Sequence, residues 1–252
     1  MRRVTTVAVI AAGIVCVSLA LVRAQTATPK LADGHPDLNG QWYHRIGPPA
    51  PQVKPGQSYD AAIAKPIGIA QFNPGKPVYK PELVAKVKDY DARQVEVDPA
   101  WYCNPPGVPR IYLHPFPMQI VVTPKELIML FEYDHNVRHI YTDGRQHPKD
   151  LTATYMGDSI GHWEGDTFVI DTVGFNDKTW LDRAGHPHSD QLHVTERLHR
   201  TAADRLQIDF TIQDPVAYAM PFSSSMFFRG HPDWSLMEQV CEDNAAFLSF
   251  EK

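Results

Sequence analysis

Residues 191–212 read QLHVTERLHRTAADRLQIDFTI, and the parity of this stretch decides the fold. In its second half Leu206, Ile208, Phe210 and Ile212 share one parity, and Arg205, Gln207, Asp209 and Thr211 share the other. Successive side chains of a strand point to opposite sides, so this is a strand with one apolar and one polar face. In the first half the apolar parity holds Leu192, Val194 and Leu198, together with Asp190 and Glu196. His193, Thr195, Arg197 and His199 face the other way.

The same pattern extends outward on both sides. MQIVVT (118–123), ELIMLFEY (126–133) and VRHIYT (137–142) come first, the last running into an Asp143-Gly144 turn. SIGHW (159–163), a turn at Glu164-Gly165 and DTFVIDTV (166–173) follow, and MEQVCED (237–243) reads as a final strand. Strands recurring at roughly ten-residue intervals with short turns predict an all-β domain. A meander of this kind is expected to close as an antiparallel barrel of about eight strands.

Proline marks off the front of the chain. Seventeen of the 22 prolines lie between residues 25 and 124, where they interrupt ladders and helix interiors. Residues 25–100 are therefore expected to be an extended segment wrapping the barrel core of residues 101–252, the two forming one domain. One short helix is expected from Pro81 to Gln94, with proline in its first turn, and one short strand at Gln41–His44.

Before that lies an export pattern. Arg2 and Arg3 precede an apolar run from Val7 to Val22, and Val22-Arg23-Ala24 presents small residues at a cleavage position before Gln25. Residues 1–24 are read as a signal peptide, giving a periplasmic or secreted protein with no membrane insertion after cleavage. Cleavage removes three of the 24 basic residues and none of the 29 acidic ones, moving the formal charge from −5 to −8. An acidic chain of this kind is a poor match for nucleic acid, and its charge favours a neutral or cationic small-molecule ligand. The cleaved chain keeps Cys103 and Cys241, which an oxidising compartment is expected to join as a disulfide. Neither has a second cysteine or a histidine two to four residues away, as a metal pair would need.

The chemistry-bearing residues concentrate between residues 155 and 200. Asp171 shares its parity with Val169 and Val173, so Asp171 and Glu196 both read as carboxylates on apolar strand faces. Desolvation there raises a carboxyl pKa toward values useful for acid/base work, unless an arginine pairs with it. Asp171 and Glu196, with His188 and His193, are the candidate catalytic groups. Asn176, Lys178 and Trp180 in the intervening loop are candidate substrate contacts. Arg110 and His114 join them from a rigid Trp101–Phe116 segment rich in proline and aromatics, which reads first as a plug closing one barrel end with Arg110 paired to a buried acid, Asp171 or Glu196. No cofactor is predicted. The alternative is a divalent metal on His186, His188, Asp190 and His193, without the spacing of a strong zinc motif. A G-x-S-x-G elbow, a P-loop and a dinucleotide fingerprint are absent.

Residues 161–197, GHWEGDTFVIDTVGFNDKTWLDRAGHPHSDQLHVTER, with CNPPGVPR (103–110) and YTDGRQHP (141–148), resemble a large family of exported bacterial proteins without a settled activity. The resemblance implies an exported single domain and carries no catalytic assignment. The Trp163-Glu164-Gly165-Asp166 turn is also similar to those of lipocalin-like barrels, the fold class expected here. The leading functional expectation is an exported acid/base enzyme, a lyase, isomerase or hydrolase, acting on a small polar or carbohydrate-like molecule. The alternative is a non-catalytic, lipocalin-like binding protein for a small apolar or aromatic ligand.

Overall fold

Nine strands close into one barrel in chain order in the computed structural model, which describes residues 28–44 and 77–242. They are β1 (Gly40–His44), β2 (Met118–Val122), β3 (Glu126–Phe131), β4 (Val137–Tyr141), β5 (Asp158–Glu164), β6 (Thr167–Val173), β7 (His193–Ala202), β8 (Arg205–Gln213) and β9 (Phe222–Gly230). All neighbours pair antiparallel except β4 and β5, which run parallel through Ile140↔Ser159 and Tyr141↔Ile160. The all-β barrel is as expected, with one strand more and one parallel seam. The seam follows from the 16 residues between β4 and β5, which carry the chain back before it re-enters the sheet.

The strand not anticipated is β9, FSSSMFFRG, which takes the place of the run at 237–243 and whose inward Ser224, Met226 and Phe228 alternate with exposed residues. The described part of the run expected at 237–243, residues 237–242, forms no strand: residues 235–240 have no regular structure. That segment is pinned by side chains instead. Glu132 Oε2 accepts the Met237 N–H at 2.9 Å, Asp134 Oδ1 accepts the Cys241 N–H at 3.3 Å, and Gln239 Oε1 accepts the Asp134 N–H at 2.6 Å. The Cys103–Cys241 disulfide completes the attachment, with Cα atoms 5.6 Å apart.

The barrel is filled. Trp42, Ile120, Met129, Phe168, Ile170, Leu198, Ile208 and Phe210 are among the side chains that close its interior. The proline-rich segment adds to this filling. A 3₁₀ turn, Arg110–Leu113, has all four residues buried, and the Tyr112 ring lies 5.4 Å from that of Phe210 and 5.6 Å from that of Phe131. Gly107 sets the entry of this plug. It sits at φ +71°, and a Cβ there would meet the Tyr155 carbonyl oxygen at 2.8 Å, so the close approach requires glycine. Thr179 Oγ1 donates to the Pro106 carbonyl at 2.6 Å, locking the β6–β7 loop onto the plug.

The expected helix forms as α1 (Pro81–Ala92), with proline in its first turn and no buried residue. It is held at its start by Lys80 N–H bonded to Ala217 O at 3.0 Å, and farther along by Tyr90 against Trp180 at 5.1 Å. The expected signal peptide, residues 1–24, lies outside the described residues. Among the described residues no helix is long and apolar enough to cross a membrane.

Candidate functional site

Three polar centres differ in how completely their groups are satisfied. The first lies inside the barrel. Register places Glu196 opposite Ile170 on one side and Phe210 on the other, all facing inward. Arg138 enters from β4, and both side chains are within 1 % of complete burial. Arg138 Nη1 donates to Glu196 Oε1 at 2.9 Å and to the Tyr112 hydroxyl oxygen at 2.8 Å. Its Nη2 donates to Glu196 Oε2 and, at 2.8 Å, to Thr172 Oγ1, while Nε reaches Ser159 Oγ at 3.2 Å. The Tyr112 hydroxyl donates to Glu196 Oε1 at 2.7 Å. Every nitrogen of the guanidinium and both carboxylate oxygens are used. Burial pushes the Tyr112 phenol well above its ordinary range, with the Glu196 charge adding to it. For Arg138 burial opposes the charge, but Glu196 and Tyr112 outweigh it and hold the guanidinium protonated. Glu196 is thus an arginine-paired carboxylate with no open face toward a substrate.

The second centre is on the outer surface. Asp171 pairs in register with Thr195, on the opposite side of the sheet from Glu196, because Phe168, Ile170 and Thr172 fill the inward positions of β6. The sequence reading put Asp171 on the inner face because Val169 is also buried, at 5 %, from the outside. Asp171 Oδ2 meets His193 Nε2 at 2.6 Å, and Oδ1 meets His147 Nε2 at 2.9 Å. His147 Nδ1 continues to Asp158 Oδ1 at 2.6 Å, and Arg145 Nη2 donates to Asp158 Oδ2 at 2.5 Å. The His193 hydrogen bond lowers the Asp171 pKa, and Asp171 in turn raises that of His193. Asp171 and His193 are brought together; Glu196 and His188 are not brought to them.

The remaining loop candidates scatter. Asn176 Oδ1 accepts the Lys178 N–H at 3.1 Å in a surface turn, and the Lys178 side chain is exposed. His186 Nδ1 is paired with Asp182, Asp190 is exposed, and His188 is buried with Nδ1 on the Ser189 carbonyl at 2.9 Å. The four proposed metal ligands therefore do not converge. Among the described residues no group of three or more His, Cys, Asp or Glu is disposed to hold a metal.

The third centre is a cavity of about 270 Å³ between the plug, the β3–β4 turn and the C-terminal segment. Arg110 and His114 line it, as do Trp101, Phe116 and Tyr133, with Asp98, Arg183, Gln239 and Cys241. A 3₁₀ turn, Pro99–Tyr102, carries Trp101, and its N-cap Asp98 accepts the Ala100 N–H at 2.9 Å. The other Asp98 oxygen accepts from Arg110 Nη2 at 2.6 Å, so the buried acid that Arg110 meets is Asp98 and not Asp171 or Glu196. The His114 ring lies 3.9 Å from that of Tyr133, centroid to centroid. Trp180 packs against the guanidinium of Arg110, 5.6 Å from Cζ to the ring centre, just outside the lining residues.

This centre is left incomplete by the protein. Arg110 Nε and Nη1, His114 Nε2 and the neighbouring His44 Nδ1 are buried without a hydrogen-bond partner. A buried donor or acceptor left unmade costs about 1–3 kcal/mol, so a cluster of them at one cavity calls for an explanation. Burial pushes His114 well below the ordinary histidine range, and the positive Arg110 and Arg183 push it further, leaving a neutral imidazole at neutral pH. His44, whose Nε2 contacts the His114 carbonyl at 2.6 Å, is lowered first by burial as well. Chemically the cavity offers guanidinium donors, a neutral imidazole and aromatic walls.

Sequence reading found Arg110 and His114 from the rigid segment that carries them. It missed Asp98, Arg183, Tyr133 and Gln239, which arrive from four separate stretches of chain with no common spacing. Comparison with protein-family models, with curated proteins and with solved structures found no match.

Proposed function

We propose that this is an exported binding protein whose ligand, a small aromatic molecule with a polar group, occupies the cavity at the plugged end of the barrel. The observation that carries the reading is one concave space with aromatic walls whose lining includes Arg110 and His114, two residues that each hold buried nitrogens without a partner. Ligand sites are typically mostly apolar pockets with a few placed polar groups, largely formed in advance. The barrel interior is a less suitable site, because side chains already fill it. Ligand-observed NMR with a set of single-ring aromatic fragments tests the proposal. Saturable binding that weakens in Trp101→Ala supports it; binding unchanged in that variant, or no binder among the fragments, overturns it.

An acid/base enzyme, a lyase or isomerase, is a second reading favoured by one observation in the same cavity. His114 is an unprotonated imidazole in a lining that also holds two guanidiniums able to stabilise an anion, although burial and those charges also lower its basicity. In this reading His114 takes the role first assigned to Asp171 and Glu196. Deuterium exchange into a cavity-bound fragment in heavy water, lost in His114→Gln, checks it.

A further inference from the structure

Resting on the cavity reading above, we infer that the ligand is an anion, a single-ring aromatic carboxylate whose carboxyl group meets Arg110 and whose ring lies among Trp101, Phe116 and Tyr133. Three observations converge on this class.

The first is the state of the arginine. Arg110 is 2 % exposed, and Asp98 takes one of its three nitrogens, leaving Nε and Nη1 without acceptors. A guanidinium is a planar fork of five donors that matches carboxylate oxygens, and charge-assisted bonds of this kind are stronger than neutral ones. The second is the sign of the charge. The charged side chains lining the cavity are two guanidiniums, Arg110 and Arg183, and one carboxylate, Asp98. His114 adds no positive charge, since burial keeps it neutral. Guanidiniums thus outnumber carboxylates in the lining, within a chain whose formal charge is −5. A cation offers the unmet Arg110 nitrogens no acceptor, and a neutral ligand meets them less well than a carboxylate does. The third is size. An apolar cavity of about 150 Å³ holds benzene. A cavity of about 270 Å³ thus has room for one ring and a short acidic arm.

Titration calorimetry at neutral pH on the disulfide-bonded protein, using benzoate, phenylacetate, their primary amides and benzylamine, tests the inference. The acids are expected to bind about tenfold to a hundredfold more tightly than the amides, the margin of a hydrogen bond to a charged partner. Benzylamine is expected not to bind. Arg110→Gln should abolish the preference for acid over amide, while Trp101→Ala should weaken both alike. Because Arg110→Gln strands the buried Asp98, the Asp98→Asn/Arg110→Gln pair and Arg183→Gln serve as second variants. Amides binding as tightly as acids would overturn the anionic class and leave the cavity reading standing. Failure of every probe to bind folded protein would overturn both.

Discussion

The barrel interior and the cavity beside it each bury an arginine, yet they treat it in opposite ways. Arg138 spends all three nitrogens on Glu196, Tyr112, Thr172 and Ser159. Arg110, a few residues from Tyr112 in the same plug, spends one on Asp98 and leaves two unmet. Burial alone therefore does not mark a functional charge. Arg145 and Arg200 each leave a buried Nε unmet as well, and what sets Arg110 apart is two unmet nitrogens on a residue that lines a cavity. A completed network specifies the packing of the plug inside the barrel, whereas the proposed ligand would complete the other.

The contrast predicts its own largest effect at Glu196. Glu196→Gln leaves the Arg138 charge buried and uncompensated and should cost about 3–5 kcal/mol in urea unfolding. Arg138→Met combined with Glu196→Leu should recover most of it; a double variant as unstable as the single one would show that the network is not a closed unit. Next in size is the Cys103→Ser/Cys241→Ser pair, expected to lose about 2–4 kcal/mol and, with the cavity wall at Cys241 released, fragment binding as well. At the cavity the sign should reverse. His114→Phe removes an unmet nitrogen and should leave stability unchanged or raise it by about 1 kcal/mol, while weakening ligand binding. It should also flatten the acid side of the stability profile. His114 has a lowered pKa in the fold, so the unfolded chain takes up its proton first and stability declines as pH falls below 6.5.

The smallest effect belongs to the outer surface. Asp171 is lowered from 3.8 and His193 raised from 6.5. The Asp171 contribution is present above 3.8 and lost as pH falls, while the His193 contribution is present below 6.5 and lost as pH rises through the folded value. The pair thus stabilises most between those values. Both groups are about one-third exposed, and after solvent screening His193→Gln should cost less than about 1 kcal/mol near pH 5 and less again near pH 8. A loss that grows toward pH 8 would break the assignment.

What the sequence disclosed depended on how cleanly each strand separates its faces. In β8 the inward set is Leu206, Ile208, Phe210 and Ile212, and parity alone recovers it. In β7 one carboxylate among aliphatics, Glu196, was placed correctly on the inner face. β6 misled because Val169 and Val173 make its outer parity apolar as well, which put Asp171 on the wrong face. β9 was invisible because its inward run includes Ser224, while Phe227 on the outer face is 64 % exposed. Arg138 was not recognised as interior, since nothing local in Val137–Tyr141 says that a charged residue and Ile140 share the buried side. Half of the cavity was legible through the proline-rigid Arg110 and His114. The other half is tertiary: its residues meet only when the plug, the turn after β3 and the last described residues come together.

The disulfide described above has a topological consequence. By joining residues 103 and 241 it makes one covalent circle that contains β2 to β9 and excludes β1. β1 nonetheless closes the sheet, seated between β2 at Gly40–Trp42 and β9 at Trp42–His44 with three paired positions on each side. It behaves as a donor strand slotted into a gap in a finished hoop, gripped by backbone bonds and by Trp42, whose ring also carries the Arg200 guanidinium at 5.1 Å. The barrel is thus, in its connectivity, an eight-stave ring closed by a ninth stave that lies outside the covalent circle.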